Sequence, residues 1–188
     1  VFASEETFLP GNFRVRLLTA PESAVTLNHG FRCNSWYDII SLDRTENSFS
    51  FKDVERNSVE IQKIIQDEID LFQGDSTKVF IGGFSQGCAM ALHNGLIFEK
   101  GLLGGIVGLS GYLFPQTNIP ESLPPVFLSH GEDDSVVKFE FALGSYQRQN
   151  LLNRPSVSFH SQPNLDHSLD QQTLSAARRF VSKLVKIK

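Results

Sequence analysis

A serine, a short acidic run and a histidine are spaced along this chain so that they could act together on an acyl group. The serine lies in Gly83-Phe84-Ser85-Gln86-Gly87, a Gly-x-Ser-x-Gly sequence. The acids are Glu132, Asp133 and Asp134, directly after His130-Gly131, and the histidine is His167. A serine hydroxyl is a poor nucleophile until a neutral imidazole takes its proton. The imidazole in turn needs a carboxylate to fix its tautomer and to stabilise the imidazolium. The order Ser, acid, His is one of the chain orders in which this constellation occurs.

Those residues are useful only if the elements around them bring them together. Val79-Phe80-Ile81 before the pentapeptide is apolar, and Cys88-Ala89-Met90-Ala91-Leu92 after it suits a helix. The stretch therefore reads as strand, sharp turn, helix, with Ser85 at the apex. Gly83 and Gly87 are expected where strand and helix backbones approach too closely for side chains. The plain alternative is a small-residue turn between a strand and a helix. Leu102 to Ser110 and Val126 to Gly131 are apolar runs without alternation, suited to strands buried on both faces. A further strand is expected at Ser156–His160, followed by the loop holding Asp166-His167.

Strands alternating with helices, several of them apolar throughout, predict an α/β fold with a mostly parallel central sheet covered by helices on both faces. In such sheets reactive groups gather beyond the carboxyl ends of the strands. Ser85, the acidic run and His167 all follow strands, which sets them apart from a chance pentapeptide. His160 is the rival base, but the loop of His167 reaches further over the strand ends. His93 is expected on the outer face of the helix after the serine, as a surface residue. His130 precedes the acids and reads as structural or pocket-lining. Asp166, next to His167, reads as solvated. His29 and Cys33 make a poor metal pair, so no metal site is expected.

Elsewhere the chain gives a coarser outline. Val1 to Leu9 reads as a short helix stopped by Pro10-Gly11, and Phe13 to Leu18 alternates as a strand would. Ala24 to Trp36 looks like loop, and Leu42 to Lys52 is polar and irregular. Trp36 beside Asp38 reads first as an amphipathic aromatic packed with its N–H satisfied. Asn57 and Glu60 have the form of a capping box. It would open a helix with Ile61, Ile64, Ile65, Ile69 and Phe72 on one face and Gly74 closing it. Two more helices are expected, from about Lys138 to Leu152 and from about Leu169 to Ile187. The second would turn Leu174, Ala177, Phe180, Val181 and Leu184 inward.

Composition narrows the function classes. A chain of 188 residues can bury a core as one domain, 1–188. A net charge of −4 supplies no broad basic field, so nucleic acid is not an expected partner. No apolar run is long enough to span a bilayer. Two cysteines, Cys33 and Cys88, are too few for a disulfide framework and point to a reducing compartment. A cytoplasmic location is the expectation. The chain opens Val1-Phe2-Ala3-Ser4 without Met, so any targeting segment would lie outside view. Sixteen Phe against one Trp suggest a Phe-rich core or an apolar pocket.

Several segments together resemble the acyl-protein thioesterase and carboxylesterase branch of the α/β-hydrolases, the phospholipase/carboxylesterase family. They are Thr19-Ala20-Pro21, Val25-Thr26-Leu27-Asn28, Ser35-Trp36-Tyr37-Asp38-Ile39, Gly82 to Gly87, Leu109 to Leu113, His130 to Asp134 and His167-Ser168. The likeness runs from about Arg14 to the end. It implies an α/β-hydrolase fold and cleavage of acyl thioesters on lipidated proteins, or of carboxylic and lysophospholipid esters, without metal or cofactor. Family members carry Asp-x-Asp after His-Gly, with the second acid in the triad. That selects Asp134 and leaves Glu132 in the place of the first. The resemblance also implies the backbone N–H of Gln86 as an oxyanion donor, and Trp36, Leu113 and Phe114 as substrate-binding residues bordering an acyl groove. Peripheral membrane contact would suit such substrates.

Two departures from the pattern carry expectations of their own. Cys88 stands where a small residue such as Gly or Ala is expected. The family also begins with an apolar strand and a Leu-His-Gly-Leu-Gly-Asp-like loop, whose backbone supplies a second oxyanion donor. Nothing before Phe2 corresponds to it, and Leu27-Asn28-His29-Gly30 follows the Thr-Ala-Pro segment and matches a different part. Losing one such donor costs about a hundred- to a thousand-fold in rate, and losing the strand would expose a sheet edge. Two readings follow. One is a serine hydrolase using Ser85, His167 and Asp134. The other is a catalytically impaired hydrolase fold serving as a binding or assembly subunit.

Overall fold

The structure is a computed structural model and describes residues 13–41 and 48–186. Its centre is a sheet of four parallel strands in the order β3-β4-β5-β6. These are β3 (Phe80–Phe84), β4 (Gly105–Leu109), β5 (Val126–Gly131) and β6 (Val157–Gln162). Before them lies a small antiparallel hairpin of β1 (Glu22–Val25) and β2 (Phe31–Asn34). Four helices complete the described chain: α1 (Phe51–Leu71), α2 (Gln86–Leu96), α3 (Phe139–Arg148) and α4 (Gln171–Lys186). This is the expected α/β-hydrolase architecture.

Helices cover both faces of the sheet, and the strands show it residue by residue. On one face Ile106 of β4 and Val126 and Leu128 of β5 join a core with Ile61, Ile65 and Ile69 of α1, Met90 and Leu92 of α2, and Ala142 and Tyr146 of α3. On the other, Leu109 and Phe127 pack with Ala176 and Ala177 of α4, flanked by Phe84, Val107 and Phe180. Successive residues of a strand point to opposite faces. A strand apolar throughout is therefore what two covered faces require.

Several local expectations are corrected. Ala24 to Trp36 is largely a hairpin rather than a loop. Its strands of four residues are too short to carry a period-two signal, and the chain reverses through a 3-10 turn with His29 at φ 54° and Gly30 at φ 78°. Helix α1 begins six residues before Asn57, at Phe51, capped by Ser50, whose Oγ accepts from the Asp53 N–H at 3.4 Å. Asn57 is thus a helix-interior residue whose Nδ2 donates to the Trp36 carbonyl. At the far end Phe72 is exposed rather than inward, while Gly74, at φ 86°, donates to the Ile69 carbonyl and closes the helix.

Phe13–Leu18 is irregular, not a strand. It has no ladder partner among the described residues, and its alternation leaves Val15 and Leu17 exposed. Contacts of Phe13 with Phe80, and of Arg14 and Arg16 with Glu68, hold it in place. The helix expected at Val1–Leu9 and most of the irregular Leu42–Lys52 stretch lie outside the described residues. The helix expected to Leu152 stops at Arg148, where Asn150 takes a left-handed φ of 54° and a 3-10 turn, Leu151–Asn153, follows.

Candidate active site

Ser85 sits between β3 and α2 with φ 55° and ψ −120°. That is a conformation L-residues adopt at a cost of about 1–3 kcal/mol, and one concentrated at functional sites. The turn is tight enough that a Cβ on Gly83 would lie 2.2 Å from the Gly87 carbonyl. Gly87 itself has open space where its Cβ would stand, so the close approach dictates Gly83 alone. The Ser85 N–H donates to the Leu109 carbonyl at 2.9 Å, tying the elbow to the end of β4. Gln86 is the first residue of α2, where an N–H has no acceptor within the helix.

Asp134 follows β5, and its carboxylate is buried and held on both oxygens. Oδ1 accepts the backbone N–H groups of Val136 at 2.9 Å and Val137 at 2.7 Å. Oδ2 lies 2.7 Å from Nδ1 of His167. His167 comes from the loop after β6 and tilts against the Phe84 ring, with centroids 4.7 Å apart. Its Nε2 is 2.9 Å from Ser85 Oγ. A carboxylate oxygen has no proton to give, so Nδ1 carries the proton and Nε2 faces the serine as an acceptor. The three side chains form one hydrogen-bonded line across the carboxyl ends of β3, β5 and β6. Glu132 and Asp133 are exposed and take no part, and Asp166 is exposed, as expected.

The remaining histidines sort differently. His130 is buried, and its Nε2 donates to the Val137 carbonyl at 2.7 Å, which leaves Nδ1 bare and without a partner among the described residues. The same Nε2 is 3.3 Å from Asp134 Oδ2, so His130 braces the acid as well as the turn after it. Burial holds the His130 imidazole below its ordinary pKa, against the opposing pull of the Val137 bond and Asp134. Nothing in the sequence but its four-residue spacing from Asp134 hints at that contact. His160 lies on β6, beside Gln171, Gln172, Ser175 and Arg179, and makes no contact with the serine. His93 is not a surface residue. It is buried against Phe51 and Phe114, with Nδ1 2.9 Å from Thr117 Oγ1, and burial lowers its pKa to about 4.

Leu113 and Phe114 do not border an open groove. They are 1% and 0% exposed, and Phe114 packs among Tyr37, Phe49, Phe51, His93 and Tyr112. An apolar pair at the end of a strand serves a core as readily as a pocket, and here the core takes it. Trp36 is half-buried; its backbone N–H donates to Gln86 Oε1 at 3.0 Å. The carboxylate of Asp38 is spent on Thr26, accepting from both its N–H and its Oγ1 at 2.6 Å. Cys88 is buried in the core, its Sγ filling space that a Cβ on Gly108 or Gly111 would occupy, and burial pushes its thiol up to about 12. It is a packing residue. Among the described residues no three His, Cys, Asp or Glu side chains are grouped to hold a metal ion, and no helix is long and apolar enough to cross a membrane.

Comparison with known proteins places the whole arrangement. Residues 12–185 match the family model described as phospholipase/carboxylesterase. Acyl-protein thioesterase 1 of Yarrowia lipolytica is 32% identical over 176 residues, covering 89% of this chain and 76% of that protein. Acyl-protein thioesterase 1 of Aspergillus fumigatus is 33% identical over 180 residues, covering 88% and 74%. Among solved structures, SOBER1 of Arabidopsis thaliana superposes with a TM-score of 0.78 at 28% identity, over 89% of this chain and 81% of that one. Acyl-protein thioesterase 2 of Zea mays shares the fold, with a TM-score of 0.72 at 23% identity over 89% and 79%.

Proposed function

Because the chain belongs to the phospholipase/carboxylesterase family, we propose that it is a serine hydrolase cleaving acyl thioesters or carboxylic esters through Ser85, His167 and Asp134. The observation that carries this reading is the hydrogen-bonded line from Ser85 Oγ to His167 at 2.9 Å and from His167 to Asp134 at 2.7 Å. Ser85 Oγ attacks the acyl carbonyl carbon while His167 Nε2 takes the hydroxyl proton. The carbonyl oxygen becomes an oxyanion held by the Gln86 N–H. Collapse breaks the bond to the leaving thiolate or alkoxide, which takes the proton from His167. Water then attacks the acyl-serine, giving its proton to His167; collapse breaks the bond between the acyl carbon and Ser85 Oγ, which takes that proton back from His167 as the carboxylic acid leaves. One imidazole thus carries every proton of the cycle.

Relatives named acyl-protein thioesterase 1 support an acylated protein as the substrate, and the phospholipase/carboxylesterase family supports lipid esters as the second class. A fluorophosphonate probe tests the nucleophile. The folded chain should be labelled once, at Ser85, and Ser85→Ala should abolish labelling and lower ester turnover by at least about 10,000-fold. A folded wild-type chain that takes no label would overturn the enzyme reading in favour of a binding or assembly subunit. Turnover of an S-palmitoyl peptide against the matching O-ester then separates thioesterase from esterase.

A further inference from the structure

The side chain of Gln86 makes more contacts than its place beside the serine requires. Its Oε1 accepts the Trp36 backbone N–H at 3.0 Å. Its Nε2 lies 3.0 Å from the Tyr37 carbonyl and 3.0 Å from Ser35 Oγ. Ser35 Oγ has a single proton and lies closer to the Tyr37 carbonyl, at 2.7 Å, than to Gln86 Oε1, at 3.2 Å. The hydroxyl therefore donates to Tyr37 and accepts from Gln86. The amide can sit only one way round. Trp36 N–H can do nothing but donate and the Tyr37 carbonyl nothing but accept, so a flipped Gln86 would lose both bonds.

The segment that receives these bonds is itself anchored from two other directions. Asn57 of α1 donates to the Trp36 carbonyl at 2.5 Å. The Tyr37 hydroxyl meets the Tyr112 hydroxyl, beyond β4, at 2.8 Å. Ser35 is 3% and Tyr37 1% exposed, so the strap is fixed in the core rather than draped over it. Gln86 thus joins a rigid strap to the first residue of α2, whose N–H is the proposed oxyanion donor.

We propose that the Gln86 side chain is a positioning residue: anchored on Ser35, Trp36 and Tyr37, it sets the direction in which its own backbone N–H meets the oxyanion. This role rests on the hydrolase reading above and adds to it a residue that acts away from the triad. A donor that strengthens only as charge develops should affect turnover and leave substrate binding alone.

The test compares wild type with Gln86→Ala, Ser35→Ala and the double variant, using a soluble short-chain p-nitrophenyl ester. Each kcat is divided by the serine titrated with a fluorophosphonate in a reaction run to completion, so that misfolded chain does not count. Gln86→Ala should lower kcat per titrated serine by up to about 100-fold, the scale of a sub-ångström to 1 Å misplacement, with KM held within about twofold. Ser35→Ala should cost less. The double variant should be no slower than Gln86→Ala alone, because both substitutions cut the same connection. An unchanged kcat per titrated serine in Gln86→Ala, with only the thermal midpoint lowered, overturns the proposal, as do losses that multiply in the double variant. A wild-type chain that neither labels nor turns over would overturn the hydrolase reading and this one with it. An active wild type with an unaffected Gln86→Ala overturns this one alone.

Discussion

Asp134 shows how much one side chain can be asked to do. Its Oδ1 holds two backbone N–H groups of the following turn while Oδ2 faces His167 and, at 3.3 Å, His130. Replacing it by Asn keeps the shape but gives one of those positions an N–H₂ group. The backbone N–H groups of Val136 and Val137 fix the amide oxygen on their side, so the amide nitrogen faces His167 and the ring must accept there. Its proton then moves to Nε2, opposite a serine hydroxyl that can no longer give one up. On the proposed mechanism Asp134→Asn should therefore lower kcat by about 10,000-fold. The urea midpoint should stay close to wild type, and ester hydrolysis alongside equilibrium unfolding checks both. Asp134→Ala should lower both, since it strands the buried donors as well. That Ser85, His167 and Asp134 come together was legible because chain order and strand ends restrict where such groups can lie. His93 was not. Helix α2 is buried on every side from Cys88 to Leu96, so there is no outer face for a histidine to occupy.

At the scale of elements, two loops must meet beyond the sheet before His167 and Asp134 can touch. The loop after β5 donates the Glu132 N–H to the Gln162 carbonyl at 2.9 Å and the Asp133 N–H to the Leu165 carbonyl at 3.0 Å. Gly131 makes the approach possible: a Cβ there would stand 2.2 Å from the Leu165 carbonyl oxygen. That oxygen belongs to backbone and cannot swing aside. Gly131→Ala should push the His167 loop away from Asp134, costing about 1–3 kcal/mol of stability as overpacking does. Fluorophosphonate labelling should slow in the fraction that remains folded. Full-rate labelling at an unchanged urea midpoint would mean that the two loops move independently. The buried strands could be read from their unbroken apolar runs and the last helix from its period. The β1–β2 hairpin could not, with strands of four residues and a turn built on His29. The start of α1 was misplaced because Asn57 and Glu60 match a capping box, yet Ser50 seven residues earlier caps the observed N-terminus. Once the chain is already helical, the Asn57 side chain is free to hold the Trp36 carbonyl instead.

For the molecule as a whole, the division of the sheet into two covered faces decides where titratable groups are costly. The face shared by α1, α2 and α3 encloses His93 among Phe51, Phe114 and Thr117. Burial there lowers the imidazole pKa to about 4 from an ordinary 6.5. A histidine depressed in the folded state takes up its proton more readily when unfolded. The stability of the neutral form is therefore fully present above pH 6.5 and is lost as pH falls towards 4, below which no more is lost. The loss from this one residue should be about 2 kcal/mol between pH 7 and pH 5. His130, shifted in the same direction by its own burial, adds to the acid sensitivity. His93→Gln removes the titration while leaving a side chain that can still bond Thr117. It should be less stable than wild type at pH 7 and lose less on acidification, so that the two unfolding free energies converge by pH 5. Urea unfolding of both chains at the two pH values measures this directly. Parallel losses would place the acid sensitivity in the carboxylates rather than in this buried imidazole.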